Sequence, residues 1–432
     1  MSEKEPLRHI PVRPNLHQLR QQAKDLLRAV RRGDAAALTE FQQSHPTIDT
    51  SGPDQIKLHD AQHALARSYG VISWTRIVQA CNLIDAIWQD DVAKVRELVT
   101  KYPTLIHENA RATKHCNWGP PMSYAANLGR DEIILLFHDL GAIDHRHAID
   151  RATLQSKIGT ARLIYKLMGS PAPPDGCLGG SAYTLSESGT RLMLELGAKV
   201  TAANGERLAP VDIVLETDGR NPQAKHSILE MYVQHGLTLP DTPTMALHRG
   251  RIDLLEAHLQ RDPKLLERTF SHEEIYPREL GCHDEINATQ GTPLAGTTLL
   301  HLCADYDEIE IARWLLEKGM NVNVRAAIDA EGFGRYTALF GTVVSQPNFW
   351  MNYGGREQVA PFTKMLLEYG ADPNIRGSLK KQLHSGYAPK YDTSRAYEYR
   401  DVTALGWGRQ FHAKVFVSEP AMKLIEEFGG TE

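Results

Sequence analysis

The sequence predicts an all-α fold, a solenoid of about nine stacked helix–turn–helix units of roughly 33 residues each. Three observations carry that reading. The stretch 296–323, GTTLLHLCADYDEIEIARWLLEKGMNVN, holds an opening turn, two short amphipathic helices and a Gly-x-Asn-x-Asn close within one period. Fragments of the same pattern recur along the chain. The chain is 432 residues long, more than one compact core serves, whereas a repeat array buries each unit only against its neighbours.

In chain order, 16–31 (LHQLRQQAKDLLRAVR) places Leu16, Leu19, Ala23, Leu26, Leu27 and Val30 on one side of a helix. Asp34 stands where an N-cap should precede AAALTEFQQ. Two more helices are expected over 58–69 and 73–81. Because the end of a solenoid exposes an apolar face that must be covered, 1–81 reads as a helical cap and 82–432 as the repeat array. Within the array, the small pair Ala125–Ala126 and Gly129 mark a turn between two helices, as do Ala246 and Gly250. The segments 188–198 and 362–374 read as second helices. The latter ends on Gly370, suited to a left-handed residue, and Pro373, which forbids continuation. Thr337-Ala338-Leu339 and Thr403-Ala404-Leu405 open two further units, and AMKLIEEFGG closes the array. Weaker units, set by spacing alone, fall at 83–110, 151–176 and 208–240.

In 296–323, Gly296, Thr298, Leu300, His301 and Ala304 occupy the opening, and Glu310, Ile311, Leu315, Leu316, Gly319, Asn321 and Asn323 the second helix and close. This set resembles the ankyrin repeat, with Leu299 in the place of the usual proline and Cys303 in that of an alanine. The resemblance implies a structural His301 that bridges backbone groups of neighbouring repeats. The N-terminal segment is similar to that of many bacterial ankyrin-repeat proteins. Leu16, Leu19, Arg20, Ala23 to Ala29, and then Ala66, Arg67, Tyr69, Gly70, Ser73 and Trp74 carry that similarity. It specifies fold far more than activity.

Lys and Arg number 48 against 53 Asp and Glu, a net charge of −5, which disfavours a nucleic-acid partner. No apolar run reaches the ~20 residues that cross a bilayer, so no membrane association is expected. The opening residues lack a leader's apolar stretch, and a cytoplasmic location is expected. The five cysteines are widely spaced with no Cys-x-x-Cys, as suits reduced, buried thiols.

The pattern is broken by long insertions at 107–120, 267–296, 324–336 and 375–402, all between a second helix and the next first helix. A fifth, 343–361, lies between the helices of one unit. All are rich in aromatic, basic and acidic residues, and long loops on a rigid frame commonly bind. His272, Glu273, His283 and Asp284 share one insertion and pair imidazole with carboxylate, as general acid–base work requires. A hydrophilic loop accounts for the same residues. Cys282 adjoins His283, but neighbours on an extended chain point apart. Trp118, Tyr276, Arg278, Arg335, Tyr387 and Tyr391 are the candidate ligand contacts, through stacking and two-pronged guanidinium bonding. The spacing of His145 and His147 sets both imidazoles on one face of a strand, with His115 or Asp150 to complete a metal site; a solvated finger explains them as well. No cofactor is expected, a divalent metal being the one candidate.

Two functions follow. A scaffold would recognise a protein partner through its concave face and fingers. Alternatively, an enzyme or binder of a small polar ligand, carbohydrate-like or anionic, would roof a pocket with the insertions. No nucleotide-binding glycine loop, nucleophile elbow or His-Glu-x-x-His motif favours the second.

Overall fold

A computed structural model of the chain describes residues 7–45, 52–113, 116–217, 220–284, 294–344, 359–382 and 395–432. These fall into two compact units, 1–171 and 172–432.

The first unit comprises α1 (Leu16–Arg31), α2 (Ala35–Ser44), α3 (Leu58–Ser68), α4 (Trp74–Trp88), α5 (Val92–Lys101), α6 (Pro121–Leu128), α7 (Asp131–Asp139), α8 (His145–Leu154) and α9 (Ile158–Leu167). Asn15 caps α1 by accepting the Gln18 N–H at 3.0 Å, and Asp34 caps α2 through the Ala37 N–H at 2.9 Å. Leu19, Ala23, Leu26 and Val30, the stripe read from the sequence, join Phe41, Leu65 and Ile77 in one buried core with Ile10. The α4 helix is longer than expected and runs through residues 81–82, because Ile77, Cys81, Ile84 and Ile87 continue one buried face.

The second unit comprises α10 (Gly179–Tyr183), α11 (Glu187–Glu195), α12 (Val211–Glu216), α13 (Pro222–Gln234), α14 (Pro243–His248), α15 (Ile252–Arg261), α16 (His272–Ile275), α17 (Leu299–Tyr306), α18 (Ile309–Glu317), α19 (Ala338–Val343), α20 (Pro361–Glu368), α21 (Ala404–Gln410) and α22 (Glu419–Glu427). Threonines open α17, α19 and α21, as the Thr-x-Leu spacing predicts; Thr403 Oγ1 accepts the Gly406 N–H at 3.0 Å.

One backbone device recurs through both units. The turn between paired helices passes through a left-handed residue, Asp90, Gly129, Ser156, Leu185, Gly250 or Asp307. The N–H after it donates five residues back, to the carbonyl of Ala86, Ala125, Ala152, Ser181, Ala246 or Cys303, at 2.7–3.1 Å. Orphan carbonyls at the helix end are satisfied this way. The acceptor is small each time, so the two helices pack closely. Only two of the six turns use glycine; a Ser, Asp or Leu adopts the left-handed conformation against its preference. That is why the weaker units carry so faint a sequence signature.

The fold is helical as expected, with one small two-stranded sheet among the described residues. Both ends of insertion 375–402 form strands, β1 (Gly377–Lys381) and β2 (Tyr397–Val402), paired antiparallel with Leu379 opposite Tyr399. Every second residue of β1 is buried, and Tyr399 and Val402 are buried on β2. The β1 pattern is period-2 alternation in a segment expected to be loop.

Candidate functional site

The helix frame holds its fingers through His301. This imidazole is 4% exposed. Its Nε2–H donates to the Tyr336 carbonyl at 3.0 Å, which leaves Nδ1 to accept from Thr298 Oγ1 at 2.9 Å. Burial penalises the charged form and outweighs the Tyr336 bond, which favours it, so the imidazole stays neutral down to about pH 4. Tyr336 ends the insertion 324–336, so His301 ties one repeat to the finger that follows it.

That finger is a hairpin. Ala326 N–H donates to the Tyr336 carbonyl at 2.9 Å and Arg335 N–H to the Ala326 carbonyl at 3.0 Å, while Asp329 Oδ1 accepts the N–H groups of Glu331 and Phe333 at the tip. It docks on β1 through reciprocal Gly334–Ser378 hydrogen bonds of 2.8 Å. Gly334 has φ +133°, and a Cβ there would lie 2.0 Å from the Ala327 carbonyl oxygen, so only glycine fits. Arg400 and Lys380 cover the Phe333 ring at 4.1 and 5.4 Å.

Between hairpin and strand lies a cleft of about 570 Å³, lined by Arg325, Arg335, Arg376, Asp372, Asn374 and Asp401 among others. Arg376 is committed, its Nε donating to Asp401 Oδ2 at 3.0 Å. Arg325 and Arg335 are exposed and have no hydrogen-bonding or ionic side-chain partner among the described residues. Arg335 also holds a left-handed backbone, φ 62°. Two guanidiniums without an ion-pair partner over this polar cleft have the donor geometry to take a carboxylate or phosphate.

The other sequence candidates are distributed differently. His272 and His283 do come together: His272 Nε2 donates to the His283 carbonyl at 2.9 Å. Glu216 on α12 completes the group, accepting His283 Nδ1 at 2.6 Å and the His283 N–H at 2.7 Å. It lies 67 residues away in a weak repeat, and no sequence signal links it to the insertion. Glu216 is buried and lifts the His283 pKa above its ordinary value. The pair anchors the insertion to α12. The neighbouring Cys282 is buried and its thiol is pushed up to about 12, which withholds the thiolate a nucleophile needs. Asp284 pairs with Arg278 at 3.3 Å, and Glu273 is exposed. Tyr276 corrects its expectation as a ligand contact: it is 1% exposed, and its hydroxyl bonds to that of Tyr306. Large aromatic area drives it into the core once the hydroxyl finds a partner.

Trp118 belongs to an aromatic cluster of the first unit, 4.8 Å from the Tyr124 ring and 6.3 Å from that of Trp88. His145 and His147 start helix α8 rather than a strand, so the i, i+2 spacing turns them apart. His145 Nε2 lies 2.8 Å from His138 Nδ1, while His147 is exposed beside Gly119. Among the described residues no three His, Cys, Asp or Glu side chains are grouped to hold a metal. Tyr387, Tyr391 and His115 lie outside the described residues, as does the centre of insertion 343–361.

Sequence reasoning also missed a buried polar network. Lys225 Nζ lies 2.7 Å from His248 Nδ1 and 3.6 Å from the centre of the Tyr306 ring. His248 Nε2 meets the Ile275 carbonyl at 3.1 Å. Burial pushes the Lys225 ammonium down to about 8 and the His248 imidazole well below its ordinary value.

With this geometry in view, the ankyrin-repeat family model matches residues 295–327, the segment in which Thr298, His301 and the α17–α18 pair sit. This segment is an ankyrin repeat. No curated protein matches the chain. Among solved structures it is similar to the human ASB11 ankyrin repeat domain, at 13% identity over 72% of this chain and 99% of that one, with a TM-score of 0.26. It is also similar to the ankyrin repeat domain of Bcl-3, at 14% identity over 80% and 97%, with a TM-score of 0.19. Both scores are too low to add to the fold argument, which rests on the recurring helix pairs and the matched repeat. No helix among the described residues is long and apolar enough to cross a membrane.

Proposed function

We propose that this ankyrin-repeat protein is a binding scaffold that grips an acidic segment of a protein partner in the cleft between finger 324–336 and β1. The supporting observation is the pair of exposed, unpaired guanidiniums, Arg325 and Arg335, over that cleft. Arginine holds carboxylate or phosphate in two-pronged fashion, and rigid hairpin backbone on both sides keeps the ordering cost low. The cleft is polar and open, unlike the mostly apolar, enclosed sites of small-molecule binders. Five buried cysteines, none in a disulfide, suit a reducing compartment, and a cytoplasmic setting is part of the proposal.

Fluorescence anisotropy with labelled Asp/Glu-rich peptides and neutral controls tests it. Acidic peptides should bind in a salt-dependent manner, and Arg325→Ala/Arg335→Ala should weaken binding at least tenfold. Equal binding by the double variant would reject the cleft. If free citrate or inorganic phosphate binds as tightly as the peptides, the small-ligand reading replaces the scaffold.

A further inference from the structure

In the first unit, residues 8–14 lie across side chains of the helices as an extended segment. This strap, RHIPVRP, makes no strand pairing. It is held largely by side chains of the repeat frame. Arg8 donates to both oxygens of Glu40 at 2.6 and 2.9 Å, and its N–H donates to the Ser68 carbonyl at 2.9 Å. The carbonyls of Ile10 and Val12, two residues apart, accept from Arg111 and from the Tyr124 hydroxyl. Trp88 Nε1 donates to that same hydroxyl at 3.0 Å. Arg13 lies over the Trp88 ring at 5.2 Å and reaches Asp85 at 3.4 Å.

This is the manner in which a protein reads an extended peptide. Side-chain donors take alternate carbonyls, aromatic rings receive the cation, and acids flank it. Pro11 and Pro14 fix φ at two of the seven positions, so little entropy is lost on docking. Ile10 and Pro14 are buried anchors, whereas His9, Pro11 and Arg13 remain exposed. The strap is held by side-chain contacts and adds no strand to a sheet, so it can lift without unfolding the helices beneath it.

We infer that the surface of Glu40, Asp85, Trp88, Arg111 and Tyr124 is a peptide-binding site for an extended aliphatic-Pro-aliphatic-Arg-Pro segment of a partner, held shut in the free protein by its own strap. The site is independent of the arginine cleft.

The probe is a fluorescein-labelled synthetic peptide, LRHIPVRP, titrated against the full-length chain. With Ile10→Ser/Arg13→Ala loosening the strap, the peptide should bind at least tenfold more tightly than to the unaltered chain. Adding Trp88→Ala should abolish the gain. Equal affinity for loosened and unaltered chains would overturn the inference. If circular dichroism shows the loosened chain unfolded, a fluorine label on a His9→Cys chain replaces it. Excess peptide should then move the label to the signal of a free strap, and an unchanged signal would overturn the inference. A concentration-dependent dimer that the peptide dissolves would also overturn it, assigning the site to a second copy of this chain.

Discussion

Replacing His301 by asparagine tests the central structural argument. In the folded protein the imidazole stays neutral to about pH 4, while in the unfolded chain it takes a proton near its ordinary 6.5. The contribution is therefore complete above pH ~6.5 and is lost as pH falls towards 4, because only the unfolded state gains a proton in that window. The interval from 6.5 to about 4 corresponds to about 3 kcal/mol at ~1.4 kcal/mol per pH unit. At neutral pH, His301→Asn removes the donor to the Tyr336 carbonyl and leaves that buried acceptor short, costing about 2–3 kcal/mol. Urea denaturation of both proteins should show the variant less stable at neutral pH and the gap closing by about pH 4. Other buried histidines, His248 above all, titrate alike in both proteins and cancel in the difference. Hydrogen exchange across α17 and the finger should follow the same course. A gap of the same size at both ends of the pH range would refute the assignment of a neutral, doubly bonded imidazole.

Other substitutions probe the site and its supports. Gly334→Ala should cost about 1–3 kcal/mol from backbone strain alone and open the cleft, read as faster exchange at Gly334 and Ser378. Glu216→Gln should free insertion 267–284 from α12. Because His283 carries a raised pKa, its ion pair is complete below pH ~6.5 and is lost as pH rises through the raised value. Exchange protection in 272–283 should fall across that rise in the unaltered protein, and be low throughout in the variant. His248→Leu strands the buried Lys225 ammonium, whereas Lys225→Met removes the charge. The former should be the more destabilising by at least about 2 kcal/mol in thermal melts, and the reverse order would show that the ammonium is not what the network serves.

Much of the frame is legible in local sequence. The N-caps Asp34, Thr298 and Thr403, the stripe Leu19–Ala23–Leu26–Val30, and the helix-ending Gly319 and Gly370 act within one or two turns of chain, and periodicity and turn chemistry report such forces directly. The turns at Ser156 and Leu185 are hard to read because no glycine marks their left-handed backbones. The hairpin of 377–402 reads as loop because its innermost pair, Lys381 and Tyr397, closes across fifteen intervening residues. His145 and His147 took strand spacing at face value, although Asp144 precedes a helix.

By itself, the sequence determined a chain of short paired helices with one clear ankyrin unit, because those elements arise from interactions between residues three to five apart. Tertiary structure decided everything that turns the frame into a surface. It put Glu216 under His283 and Tyr276 into the core. It laid finger 324–336 against β1, leaving Arg325 and Arg335 unpaired over a cleft, and drew residues 8–14 across Trp88 and Tyr124. Each of these joins residues from 30 to more than 100 positions apart, and no local period encodes which distant partner satisfies a buried carboxylate or covers an aromatic ring.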